Sequence, residues 1–270
     1  MSEHLSSKKI ERQGDIMRWI PKKLHGWIVP LALVVIWETA SALDLVSSTT
    51  LPAPSTILTQ FFYLIATGEL LEHLGISAYR AGLGFVLGSA TGLLLGLSTG
   101  LGKLVERTLD PSLQMLRTIP LLSLIPLFIL WFGVGEFSKI LMIALGAFFP
   151  VYLNTFLGIR NVDIKLIEVS RIFQYSRWQL LSKMIIPAAL PNILLGIRLS
   201  LGASWLVLVV AEMMGTSAGI GYMIQDARAY SQTDKVFVGI SIFAVIGKLS
   251  DSAIRLLERR WLHWRDTFKG

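Results

Sequence analysis

Residues 167–191 read "IEVSRIFQYSRWQLLSKMIIPAALP", a charged stretch with helical patterning that closes on Pro187 and Pro191 and lies between two long apolar runs. Seven charges fall within 160–183, interleaved with Ile164, Ile167, Phe173, Trp178, Leu180 and Leu181. That is too polar to cross a bilayer and too apolar to stand free in water, so an amphipathic helix here must bury one face on something. "SRWQ" at 176–179 has the form of a capping box, with Ser176 as cap and Gln179 reaching back from the third helical position. The spacing therefore predicts two short helices, 161–173 and 177–186, joined at Gln174–Tyr175. Pro187 and Pro191 should end the second and launch the apolar helix that follows. From these residues alone, the membrane surface is one place for the pair to rest.

The flanks explain why a membrane is at issue. Of 270 residues, 53% are hydrophobic and 16% charged, and apolar runs approach the roughly 20 residues that a bilayer span requires. Six spans are expected, at 25–44, 79–100, 119–135, 138–158, 190–212 and 235–255, the third short and bent or partly inserted because of Pro120 and Pro126. The loop after the first span holds a short amphipathic helix that Ser55 and Thr56 can cap. Segments 1–24, 101–118, 159–189 and 248–270 carry 20 of the 25 Lys and Arg residues. The positive-inside rule then puts both termini in the cytosol. This gives a basic N-terminal segment 1–24, a six-span domain 25–258 with a cytosolic loop 159–189, and a tail 259–270. A formal charge of +7 concentrated at span ends argues for membrane orientation and against nucleic acid. "ASA" at 40–42 resembles a signal cleavage site, but the long polar leader and Glu38 favour a retained span.

Enzymatic readings fail one by one. The chain has no cysteine, and its four histidines lie outside the apolar interiors. "GTSAG" (215–219) has the nucleophile-elbow spelling without a histidine base or a preceding strand, and its glycines suit a turn after the fifth span. "GLSTGLGKL" (96–104) misses the phosphate-loop pattern, so no nucleotide is expected to be hydrolysed on this chain by that motif. In the second span, Gly84, Gly88, Gly92, Gly96 and Gly100 recur every four residues, about 400° on a helix. They form one stripe without side chains, suited to close packing within a subunit or to a surface that slides during transport.

The opening stretch resembles the "EAA" loop of permease subunits from bacterial ABC importers, whose pattern is E-A-A-x3-G-x9-I-x-L-P. Glu168, Val169, Ser170, Gln174, Met184, Ile186 and Pro187 occupy its slots; glutamate and proline match, while the alanines and the glycine are replaced. "LPAPSTIL", "LGISAYRAGLGFVLG", "SLQMLRTIPLLSLIPLFILWFGVG", "FFPVYLNTFLGIRNVD", "LVVAEMMGTSAGIGYMI" and "LLERRWLHW" extend the likeness over nearly all of 25–265, to the sulfonate, taurine and nitrate branch and most of all its aliphatic sulfonate permeases. The resemblance implies an all-α type I importer permease in a bacterial cell membrane, paired with a second copy of itself. It also implies two cytosolic ATPase subunits that carry ATP and Mg, and an extracytoplasmic substrate-binding protein. The segment with Glu168, Val169, Ser170, Arg171, Gln174, Tyr175, Ser176 and Pro187 then becomes a coupling helix seated on the ATPase. Cargo would be an aliphatic sulfonate, with taurine, nitrate or bicarbonate as alternatives. A self-contained secondary transporter is the rival reading, for which only Glu38 and Glu212 could be coupling acids.

An anion's path needs a tolerant lining. Arg198, seven residues past Pro191 and about 10 Å along the helix, guides the anion, pairs with backbone carbonyls or snorkels inward. Trp205 and Glu212 follow at intervals of seven on the same stripe; Glu212 pairs with a cation or steadies the 213–222 turn. Arg80 attracts anions at the outer mouth or binds a partner's carboxylate. Met115, Trp131 and Asn154 line the path or simply pack.

Overall fold

The computed structural model describes residues 25–213 and 215–262, and those residues form helices and turns without a strand. The expected segments 1–24 and most of the tail 259–270 lie outside the described residues. The described residues divide into two compact units, with the boundary between Phe61 and Phe62. In the first, α1 (His25–Ala42) and the start of α2 (Pro54–Ala66) are joined by one carboxylate. Glu38 accepts hydrogen bonds from the Ser55 backbone N–H (3.0 Å) and hydroxyl (2.7 Å). Ser55 thus sits inside a helix that begins at Pro54, and its side chain is spent on Glu38 rather than on capping.

The second unit contains α3 (Glu69–Leu101), α4 (Lys103–Thr118), a 3-10 turn (Leu121–Leu124), α5 (Ile125–Phe132), α6 (Glu136–Arg160), α7 (Ile164–Ile172) and α8 (Arg177–Leu180). A π-turn (Leu181–Ile185), α9 (Ile186–Met213), α10 (Ile220–Ala229) and α11 (Thr233–Trp261) complete it. The centre is α6, pressed between α3 and α9, and glycine is the reason it fits. All five stripe glycines of α3 are buried and face α6. A Cβ on Gly92 would stand 2.6 Å from Phe148 O, and one on Gly96 2.8 Å from Tyr152 O. On the other side, a Cβ on Gly196 would lie 2.9 Å from Pro150 O. Backbones therefore touch without side chains between them, the packing that lipid-embedded helices use in place of a hydrophobic drive. The larger apolar core fills the remaining space with Ile125, Phe128, Met142, Ile143, Val207 and Leu208. At the α4 end, Tyr152 donates to Asp110 Oδ1 (2.6 Å) and Arg160 pairs with Glu106.

Among the described residues, four helices are long and apolar enough to cross a bilayer: Glu69–Leu101, Glu136–Arg160, Arg177–Met213 and Thr233–Trp261. Two of the six expected spans are less regular. The third becomes α5 with its preceding turn, bent by 87° from α4, and the pair counts as a span only if taken together. The first is α1, shorter than the other four among the described residues.

The helix pair needs a correction. No break occurs at Pro187: the helix that starts at Arg177 runs on to Met213 over 37 residues. Proline lacks the N–H that would bond to the carbonyl four residues back. The π-turn just before it absorbs the mismatch, since the Ile186 N–H bonds to Leu181 O, one residue further than in an α-helix.

Candidate functional site

Local chemistry builds the 163–187 segment. Asp163 caps α7 by accepting from the Lys165 N–H at 2.9 Å. At the other end the Tyr175 N–H bonds to Ser170 O and the Gln174 N–H to Arg171 O, each at 3.0 Å. This crossed pair is a Schellman closure, and it holds Gln174 at φ +52°. The position at which the family pattern carries glycine is therefore a left-handed one, occupied here by a residue that adopts it at a cost. Ser176 then restarts the helix with both halves of the capping box, Gln179 N–H to Ser176 Oγ at 3.3 Å and Ser176 N–H to Gln179 Oε1 at 2.9 Å. Tyr175 binds the two arms together, 6.2 Å from the Phe173 ring and 5.7 Å from Lys183 Nζ.

This segment leaves large apolar side chains uncovered among its polar ones. Ser170 is buried, with its hydroxyl on Ile167 O, whereas Glu168, Val169, Arg171, Gln174 and Ser176 are exposed. Ile164, Ile172, Phe173 and Trp178 are 70, 78, 67 and 73% exposed. Four large hydrophobes on a polar, charged segment form a patch that calls for a partner surface.

The path candidates separate into two ionic clusters. Arg80 is 3% and Glu212 1% exposed, and they meet: Arg80 Nη1 lies 2.8 Å from Glu212 Oε1 and 2.7 Å from Ala218 O. Arg80 Nε also donates to Glu136 Oε2 at 2.6 Å. Glu212 further accepts from Ser77 Oγ (2.8 Å) and the Gly221 N–H (2.9 Å), and the Ile220 N–H donates to Ser77 (2.8 Å). The cluster pins the glycine-bearing turn, in which Gly215 and Gly219 take positive φ, to the ends of α3 and α6. Arg80 and Glu212 thus serve each other and the turn. Sequence reading named both and missed Glu136, 56 residues from Arg80, and Ser77, which lies close to Arg80 in α3 but 135 residues from Glu212.

Toward the other end of α9, Arg198 Nε and Nη2 both lie 2.6 Å from Asp251 Oδ1. Its partner is thus a carboxylate of α11, which the sequence did not point to. Arg198 and Trp205 line one cavity of about 530 Å³ between α9 and α11, while Glu212 on the same stripe does not reach it. Asn154 donates to Pro150 O (2.8 Å) and lies against Gly196, so it packs between α6 and α9. Met115 and Trp131 are exposed and lie outside the cavity.

Glycine-packed apolar helices around an apolar core, with the buried charges held in a paired cluster and a capped polar arm, make a multi-pass α-helical membrane protein. The chain belongs to the family of binding-protein-dependent transport system inner membrane components, whose model matches residues 88–263. It is 60% identical over 253 residues, 92% of each chain, to the putative aliphatic sulfonates transport permease protein SsuC of Bacillus subtilis (strain 168). To the protein of the same name in Escherichia coli (strain K12) it is 46% identical over 253 residues, 94% of this chain and 96% of the other. Among solved structures, an amino acid ABC transporter crystallised with histidines superposes with a TM-score of 0.63 at 18% identity, over 74% of this chain and 98% of that one. The fold is accordingly that of a type I ABC importer permease, and the chain is a transport subunit rather than an enzyme.

Proposed function

We propose that this chain forms the membrane path of an ATP-driven importer for small organic anions, with aliphatic sulfonates as its cargo. It acts as one half of a homodimer in a bacterial cell membrane, with both termini in the cytosol. Two cytosolic ATPase subunits bind ATP and Mg, and an extracytoplasmic binding protein delivers the cargo. The likeness to two sulfonate permeases over nearly the full length supports the cargo class.

One observation carries the coupling role: the exposed apolar patch on α7 and α8 is attached to a helix that does not break. At 1.5 Å per residue, the 37 residues from Arg177 to Met213 reach about 55 Å, against about 30 Å of hydrocarbon. Some 25 Å of the same helix therefore stands outside the apolar core and carries Trp178 at its tip. When the ATPases close on nucleotide, a groove that grips Ile172, Phe173 and Trp178 moves α9 as a rigid rod. Capping at Ser176 and closure at Gln174 keep the α7 arm at a fixed angle, so motion is passed on instead of being absorbed. Glu168, exposed on the outer side of α7, contributes a charge to that contact.

Reconstitution with and without the ATPase and binding protein tests the reading. The complete system should accumulate an alkanesulfonate in an ATP-dependent manner, and Glu168→Lys should insert normally yet hydrolyse ATP without uptake. Sulfonate movement by the purified chain alone, or unimpaired uptake by the variant, would refute it.

A further inference from the structure

The cavity between α9 and α11 has walls and charges arranged as a ligand site. Its volume of about 530 Å³ lies within the range of small-molecule pockets. Trp205, Leu206, Val209 and Phe243 make most of the wall apolar, and Gly202 and Gly247 leave room along both helices. Polar groups gather at one end: Arg198, Ser250 and Asp251. Asp251 does not belong to Arg198 alone. Its Oδ1 takes Arg198, while its Oδ2 accepts from Arg255 Nε at 2.8 Å, one turn further along α11. The carboxylate can thus leave Arg198 and stay compensated. Asp251 covers the Nε and Nη2 side of the guanidinium, and on the Nη1 side the nearest carboxylate is Glu258 at 4.0 Å. Nη1 makes only this long ion pair and, among the described residues, no hydrogen bond, so its donors point to a place for another anion. Arg198 is about 30% exposed at its side chain, so its donors are accessible from the cavity.

We propose that this cleft binds a monoanion with a short aliphatic tail. The head lies on Arg198, the tail runs along Trp205, Leu206 and Phe243, and loading hands Asp251 over to Arg255. The ligand class rests on the reading of the chain as an organic-anion importer and adds to it a selectivity. The pocket measures the tail, because each buried methylene multiplies affinity roughly three- to four-fold.

The test is equilibrium binding of labelled alkanesulfonates to the full-length chain in nanodiscs of zwitterionic lipid. Hexanesulfonate should bind saturably and on the order of a hundredfold more tightly than ethanesulfonate, with inorganic sulfate weaker still. Arg198→Gln should weaken hexanesulfonate about tenfold or more. Asp251→Asn removes the competitor and should tighten it about fivefold. An ion pair with only a structural role would lose affinity in both variants, so equal weakening overturns the proposal, as does equal affinity for sulfate. Phe243→Ala leaves the charges alone and should reduce the discrimination by tail length; unchanged discrimination counts against the site. Hexanesulfonate affinity should be unchanged in nanodiscs with about 30% phosphatidylglycerol; if that lipid abolishes binding, the cleft is a lipid site and the proposal falls. Sulfonate uptake by the complete system without saturable binding to this chain removes the cleft and leaves the importer. Binding with the stated variant pattern but no uptake does the reverse.

Discussion

Replacing Gly92 and Gly82 by alanine, one at a time, sets two opposing effects against each other on the same helix. Both residues lie well inside α3, so helix propensity favours alanine by about 1 kcal/mol at either site. Their surroundings differ. Nothing lies within 4 Å of a Cβ on Gly82, whereas one on Gly92 meets Phe148 O at 2.6 Å, Tyr152 N at 3.1 Å and Val151 Cβ at 3.2 Å. Carbon contacts are optimal at about 3.5–4.0 Å, so α3 must retreat from α6 by close to 1 Å. Retreat is resisted, because Gly88 and Gly96 on either side also lie against the α6 backbone, where a Cβ would run into Ala144 O and stand 2.8 Å from Tyr152 O. Overpacking of this kind costs about 1–3 kcal/mol, and a backbone clash between pinned helices belongs at the upper end. Gly92→Ala should therefore lose about 2 kcal/mol net, and Gly82→Ala should gain about 1 kcal/mol. Denaturant titration of the purified protein in mixed micelles, followed by circular dichroism, resolves a separation of about 3 kcal/mol. Equal shifts in the same direction would show that α3 and α6 do not meet backbone to backbone.

Two further outcomes follow from the sites. Gln174→Gly should relieve the left-handed strain at φ +52°, and the amide of Tyr175 should exchange about threefold more slowly, while Gln174→Val should speed it. Glu212→Gln leaves the buried Arg80 without one of its two counter-charges and should cost about 3 kcal/mol, read as a lowered melting temperature; an unchanged melt would remove the cluster's structural role.

Local features of this chain could be seen one helical turn at a time. The box of Ser176 and Gln179 needs four consecutive residues, and the glycine stripe repeats every four, so each is written within a single helix. Span positions follow likewise from runs of apolar side chains, because lipid tests the composition of a segment whatever its neighbours are. The family glycine slot at Gln174 was also visible, although the left-handed backbone that explains it was not.

Tertiary structure decided which charges answer each other. Arg80 and Glu212 are 132 residues apart, and Arg198 and Asp251 53, so no spacing rule links them. They meet because α3, α6, α9 and α11 pack in one arrangement, in which glycines let the backbones of α3 and α9 touch α6. Whether Pro187 breaks the helix was settled the same way. A proline forbids one hydrogen bond, but the choice between a hinge and a π-turn depends on what holds the helix on both sides of it.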